Sequence, residues 1–266
     1  MQQRQRREKL IRALLDEDPK YVGIEIPQDE TAQRQLLRSL FNVRMPGEIS
    51  DEFLMIQDEY LRGEISGKGV TSVTDLIPAE SGIYLWQGDI TTLECGAVVN
   101  AANSGMTGCY QPCHNCIDNC IHTYAGIQLR NECHRRMQQL RGMFGPDYMH
   151  PTAVPMITDA YNLPSEKVIH VVGPIVTGPL RPEHEELLSR CYSSCLDLAM
   201  ENGLGSIAFC CISTGVFMFP NERAAQIAVD TVRTWLKEHT SDMKVIFDVF
   251  GDRDLMIYTR LLKGSQ

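Results

Sequence analysis

Up to about residue 70 the apolar positions recur at helical spacing. Leu10, Ile11, Leu14 and Leu15 share one face, Leu36, Leu37, Leu40 and Phe41 a second, and Phe53, Leu54, Ile56, Tyr60 and Leu61 a third. Thr31 stands where it would cap the second of these helices. The stretch RGEISGKGVTSV then gathers glycine and serine without an apolar period, which puts a boundary near residue 70. The pattern divides the chain into a helical N-terminal extension, residues 1–70, and a larger domain, residues 71–266.

From residue 82 short strands alternate with helices. GIYLW, GAVVNA, AVPMIT, KVIHVVG, SIAFCCI and KVIFDVF are runs rich in β-branched and aromatic residues. CIDNCIHTYAGIQLRNECHRRMQQL, EHEELLSRCYSSCLDLAMENG, NERAAQIAVDTVRTWLKEH and DLMIYTRLLK read as helices between and after them. Near-continuous apolar strands separated by amphipathic helices predict a mixed, largely parallel sheet covered on both faces, an α/β/α layered domain.

Composition narrows the class. At 266 residues, 43% hydrophobic and 22% charged, the chain suits one full-sized globular domain with an appendage. The charged start MQQRQRREKLIRALLDEDPKY has no signal-peptide core, and no apolar run approaches the ~20 residues of a membrane span. The expectation is a cytoplasmic protein without a membrane partner, whose ten cysteines stay reduced unless they bind metal. A net charge of −9 argues against a nucleic-acid partner, so any phosphate ligand must be held by local donors.

In open α/β sheets ligands bind beyond the carboxyl ends of the strands. Three such places carry polar residues: Gln87 to Thr91, Asn100 to Gly105, and Ser213 to Pro220. The third, a strand, a glycine-containing loop and a helix from about Asn221, aims backbone amides at an anion. No Walker lysine accompanies it. GLGSIA, residues 203–208, mimics a dinucleotide fingerprint but leads into a strand instead of following one. A fourth feature is GCYQPCHNCIDNCIHTYAG, residues 108–126, with Cys109, Cys113, His114, Cys116, Cys120 and His122 close together. In a reducing compartment it reads as a metal site or a piece of core ahead of a disulfide knot.

WQGDIT, VVNAANSGM, CIDNCIHTYAG, AVPMITDAYNLPSEKVIHVVGP, ISTGVFMFP and VIFDVF occur in an order that resembles the macrodomain family, the ADP-ribose-binding module, over residues 82–263. The resemblance implies a three-layer α/β/α macrodomain with a mixed central sheet behind the N-terminal helices. It also implies site roles. Asp89 would accept from the adenine amino group and Ile90 offer backbone contacts, while Phe250 would stack on adenine. Ser213, Thr214, Gly215, Val216 and Phe217 would hold the diphosphate, and Asn103 and Asp118 would face the distal ribose. Each has a plainer reading: Asp89 as a turn residue, Phe250 as core, Asp118 as an acid favoured by a helix dipole.

Many hydrolytic macrodomains carry a glycine-rich loop where this chain has TGCYQPCHNCIDNC. That segment resembles the zinc-containing branch of the family, which also has a helical N-terminal extension. For a helix starting near Ile117, Cys120 would face the sheet as a small hydrophobe and His122 would be a satisfied core histidine. Alternation in the loop before it points His114 and Cys116 together and Cys113 away, and Cys109 approaches the same point. The expected zinc ligands are Cys109, His114 and Cys116. Such a Cys2His set leaves one tetrahedral position open, as in catalytic zinc; a closed site that includes Cys113 is the purely structural alternative.

The activity this implies is zinc-dependent removal of mono-ADP-ribose from modified proteins, with Asn103 and Asp118 as catalytic residues. Two other readings use the same pocket: a non-catalytic ADP-ribose-binding module with structural zinc, and an O-acetyl-ADP-ribose deacetylase. The resemblance also suggests a lipoyl-carrier protein as substrate and a sirtuin-type modifier as partner.

Overall fold

Three helices open the chain: α1 (Gln3–Asp16), α2 (Glu30–Val43) and α3 (Asp51–Lys68). The N-cap of α2 is Asp29, whose side chain accepts from the Ala32 amide at 2.8 Å. Thr31 therefore lies inside the helix, because an aspartate two residues earlier already supplies the capping oxygen. Ser50 caps α3 in the same way, and Gly69, at φ +89°, ends it. Leu10, Ile11, Leu14, Leu37, Leu40, Phe41, Phe53, Tyr60 and Leu61 form one buried cluster, as their spacing predicts. Ile127, from far along the chain, completes that cluster. The structure, a computed structural model, describes residues 1–239 and 241–263.

The rest builds the sheet: β1 (Thr71–Ser72), β2 (Pro78–Glu80), β3 (Ile83–Gln87), β4 (Leu93–Glu94), β5 (Ala97–Ala102), α4 (Ile117–Ala125), α5 (Ile127–Phe144), β6 (Met156–Asp159), β7 (Lys167–Val172), α6 (Pro182–Glu201), β8 (Ser206–Phe209), α7 (Asn221–His239), β9 (Lys244–Val249) and α8 (Asp252–Lys263). Among the described residues seven strands form one mixed sheet in the order β2-β3-β9-β8-β5-β7-β6. The pairs from β3 to β7 are parallel, and β2 and β6 close the edges antiparallel. α6, α7 and α8 pack on one face, α4 and α5 on the other, with the N-terminal helices outside α4, so the three-layer α/β/α macrodomain architecture is present. The small β1–β4 pair has no counterpart in the sequence pattern. Among the described residues no helix is long and apolar enough to cross a membrane.

The run expected as one helix from Cys116 to Leu140 is two. Gly126 sits between them at φ +97°, and a Cβ there would lie 2.7 Å from the side chains of both Gln57 and Gln128. No side chain of its own caps α5. Instead Gln57 of α3 accepts from the Ile127 amide at 3.1 Å, filling one of the acceptors a helix start lacks. Arg130 of α5 returns the service, donating from Nη1 to the carbonyls of Phe41, Asn42 and Arg44 at 2.8–2.9 Å where α2 ends. The N-terminal helices and α5 thus cap one another across a shared apolar cluster.

Candidate functional site

The carboxyl ends of β3, β5, β8 and β9 lie along one edge of the parallel sheet. Asp89, Asn103, Ser213 to Phe217 and Phe250 each follow one of them. Asp89 caps a short turn of helix over Ile90–Thr92, its Oδ1 accepting from the Thr91 amide and hydroxyl at 3.0 and 2.6 Å. Lys68 at the end of α3 donates to Asp89 Oδ2 at 2.8 Å while its ammonium lies 3.4 Å from the centre of the Tyr124 ring. Partial burial alone would raise the Asp89 pKa; Lys68 and Thr91 outweigh it and hold the carboxyl below its ordinary value. The side chain of Ile90 is core, which leaves only its backbone for a ligand. Phe250 is 83% exposed, so the core role open to it in the sequence does not hold.

The loop after β8 turns sharply. Ser213 has φ +66° and its carbonyl accepts from Phe219 at 3.0 Å, while Thr214 is tied to the Cys211 carbonyl through its hydroxyl at 2.9 Å. Among the described residues the amides of Gly215, Val216 and Phe217 donate to no protein acceptor. Three such amides before the N-terminus of α7 make an anion cradle.

At the end of β5 the polar groups interlock. Asn103 donates to Asp118 Oδ2 at 3.1 Å and to the Gly108 carbonyl at 3.2 Å. Asn100, buried in an otherwise apolar strand, donates to Asp118 Oδ1 at 2.8 Å and to His170 Nδ1 at 3.0 Å. That fixes the His170 proton on Nε2, which donates to the Thr158 hydroxyl at 3.0 Å. Burial raises the Asp118 carboxyl to about 6 against the pull of Asn100, Arg130 and Asn103, and lowers His170 to about 3. His122 is buried and its pKa lowered by desolvation; its ring nitrogens make no protein hydrogen bond, with Asp118 Oδ1 3.6 Å from Nε2. The satisfied histidine expected there is instead packed against Gly108, where a Cβ would lie 2.8 Å from the ring.

Cys109, His114 and Cys116 bring their donor atoms within 4.8 Å of one another, and Cys109 Sγ is 3.6 Å from His114 Nδ1. A tetrahedral zinc with Zn–S of ~2.3 Å and Zn–N of ~2.0 Å holds its donors about 3.5–3.8 Å apart, so this half-buried trio fits the ion. Burial, then the neighbouring Cys109 and Asp118, pushes the Cys116 thiol up to about 12. Cys113 turns away, its Sγ meeting Ser39 Oγ at 3.2 Å and the Gln35 carbonyl at 3.4 Å. The cause is a positive φ of 52° at Cys113 in an irregular loop, not strand alternation. Cys120, expected against the sheet, faces α2, where Arg38 Nη2 lies 3.6 Å from its sulfur. A second trio, His122, Cys133 and His170, is equally close. There His170 Nε2 is committed to Thr158, and burial keeps the Cys133 thiol protonated, so it reads as core.

Arg38 and Lys68 are site neighbours that sequence reasoning missed, and Asn100 was read only as the start of a polar strand end, without a role. Its signal is a polar residue inside the apolar run AVVNAA; Arg38 and Lys68 left none.

Comparison with known proteins agrees with this layout. The Macro domain family model matches residues 99–228. A protein-ADP-ribose hydrolase from Treponema medium is 52% identical over 98% of this chain and 100% of its own. The Trypanosoma brucei macrodomain in complex with ADP-ribose superposes with a TM-score of 0.64 at 28% identity, covering 89% of this chain and 97% of that one. The Oceanobacillus iheyensis macrodomain with ADP gives 0.60 at 37%, covering 68% and 90%. Identity that runs the length of a relative, on a sheet whose strand ends carry the same ordered motifs, means that this chain belongs to the Macro domain family.

Proposed function

We propose that this protein is a zinc-dependent hydrolase that removes mono-ADP-ribose from modified proteins. One observation carries the reading: the metal-donor trio and the ribose residues are one structure. Cys116 stands at the N-cap position of the helix whose second residue, Asp118, is hydrogen-bonded to Asn103. The relative from Treponema medium, named a protein-ADP-ribose hydrolase, supports the activity, and the ADP-ribose complex of the Trypanosoma brucei macrodomain supports the ligand.

The roles are the ones the family resemblance implies, and the geometry is compatible with them. Asp89 accepts from the adenine amine, Ile90 adds backbone contacts and Phe250 supplies a stacking face. The amides of the Ser213 to Phe217 loop hold the diphosphate without needing a basic surface. Asn103, exposed yet fixed by Gly108 and Asp118, orients the distal ribose. Asp118 accepts from that sugar while Asn100 holds its other oxygen. Zinc held by Cys109, His114 and Cys116 would supply Lewis acidity, polarising an oxygen or lowering the pKa of a bound water towards ~7.

By resemblance we extend the substrate to a lipoyl-carrier protein modified by a sirtuin-type enzyme, and the compartment to the cytoplasm, where ten unpaired cysteines are at home. The test is single-turnover release of ADP-ribose from serine-, aspartate- and glutamate-linked proteins and from a modified lipoyl carrier. Asn103→Ala and Asp118→Ala should slow release while retaining zinc. Fully loaded wild-type protein that binds ADP-ribose and releases nothing from any substrate would make it a reader.

A further inference from the structure

The loop that carries the metal donors has little structure of its own. Between β5 and α4 its backbone holds a single turn bond near the donors, from the His114 amide to the Gln111 carbonyl at 3.3 Å. Its shape is set from outside. Arg38 of α2 donates through Nη2 to the His114 carbonyl at 2.7 Å and to Asn119 Oδ1 at 3.0 Å. Asn119 in turn donates to the carbonyls of Cys109 and Gln111 at 3.4 and 2.9 Å. One guanidinium nitrogen therefore joins the backbone of His114 to the helix that starts after Cys116, and through Asn119 to the backbone of Cys109. Asn42, one helical turn on, accepts from the Cys113 amide at 2.9 Å and donates to Thr123 at 2.9 Å.

We propose that Arg38 is a positioning residue for the metal centre, so that the N-terminal helices act as the template on which the three ligands are preorganised. This rests on the zinc reading above. Residues that orient ligands from behind change metal affinity by about 10- to 100-fold when removed. Arg38 acts from behind on the backbone carbonyl of the donor His114 and, through Asn119, on that of Cys109, so a loss of that order is the expected effect.

Zinc affinity measured by chelator competition on the full chain tests it, with the cobalt(II) spectrum as a readout of coordination geometry. Arg38→Met, which keeps the stem, should bind zinc about 10- to 100-fold more weakly and give an altered cobalt spectrum, while ADP-ribose affinity stays within about 3-fold. Arg38→Lys, which keeps charge without the fork, should lose a smaller share and decides the matter if the methionine variant does not fold. Arg34→Met is the control: one turn earlier, it removes ion pairs to Glu30 and Glu64 without touching the loop, and should leave zinc affinity unchanged. Zinc binding by both Arg38 variants equal to wild type, or an equal loss in Arg34→Met, overturns the proposal. Wild-type protein that binds no zinc instead removes the metal reading on which it stands.

Discussion

At the scale of single residues the donor trio makes opposite predictions for neighbouring side chains. His114→Ala should lose zinc and turnover and keep ADP-ribose binding, whereas Cys113→Ala should keep its zinc, since its sulfur faces Ser39 and Gln35. Metal analysis of the two variants checks this; zinc loss confined to the Cys113 variant would reverse the assignment. The direction of Cys113 was legible in the sequence, but for the wrong reason. Alternation presumes an extended chain, and the actual cause is a left-handed residue in a bend. His170 gives a pH prediction. Its pKa is about 3 in the fold against an ordinary 6.5, because it is buried among Asn100, Thr158, Cys133 and the ring of His122, with Arg136 and His150 adding repulsion. The unfolded chain therefore binds the proton first. Stability from this group is complete above about pH 6.5 and falls as pH drops towards 3. Urea titrations from pH 7 to 4.5 should show the His170→Gln chain losing stability about 1.4 kcal/mol per pH unit less steeply than wild type. Equal slopes would show that His170 does not take up the proton on unfolding.

At the scale of elements, the strands that carry the site were readable from period and composition, and so was the start of α4 though not its end. What could not be read was how elements end on one another. The break at Gly126 is invisible to hydrophobic periodicity, because what demands glycine there is the left-handed φ of +97°, with the Gln57 and Gln128 side chains crowding the same point. The pairing of α2 with α5 was equally hidden, since Arg130 looks like any surface arginine until Phe41, Asn42 and Arg44 present their carbonyls to it. Arg130→Met should cost about 2–4 kcal/mol, because several buried carbonyls at the end of α2 lose their donor at about 1–3 kcal/mol each and relax only in part. A shift of the denaturation midpoint, with Arg130→Lys recovering part of it, is the expected result. An unchanged midpoint would mean that α2 and α5 do not depend on each other for capping.

At the scale of the whole molecule the proposed site would have two separable ends on one sheet edge. The proposed adenine end is Asp89, tied to α3 by Lys68, and the proposed ribose end is Asn103, Asp118 and the Cys109–Cys116 loop, tied to α2 by Arg38. Both ties come from the helices that sequence reading sets apart as an extension, and neither lysine nor arginine announced it, because contacts between distant segments leave no local pattern. A net charge of −9 is compatible with a diphosphate ligand because backbone amides, not surface charge, form the cradle. Asp89→Ala should weaken ADP-ribose binding by about 1–3 kcal/mol, the cost of leaving the adenine amine unpaired, with zinc content unchanged. Calorimetry with metal analysis on one sample separates the ends; coupled loss of both would show the cleft to be a single unit. The most direct test of the account compares zinc-loaded, chelator-stripped and zinc-restored wild-type protein in single-turnover release of ADP-ribose from a mono-ADP-ribosylated protein, with ADP-ribose affinity measured alongside. Stripping should slow release roughly 100-fold or more, the share of a Lewis acid worth several kcal/mol; zinc should restore it, and affinity should shift by no more than about 3-fold. Release at the same rate from stripped protein, or none from loaded protein that binds ADP-ribose, would contradict it.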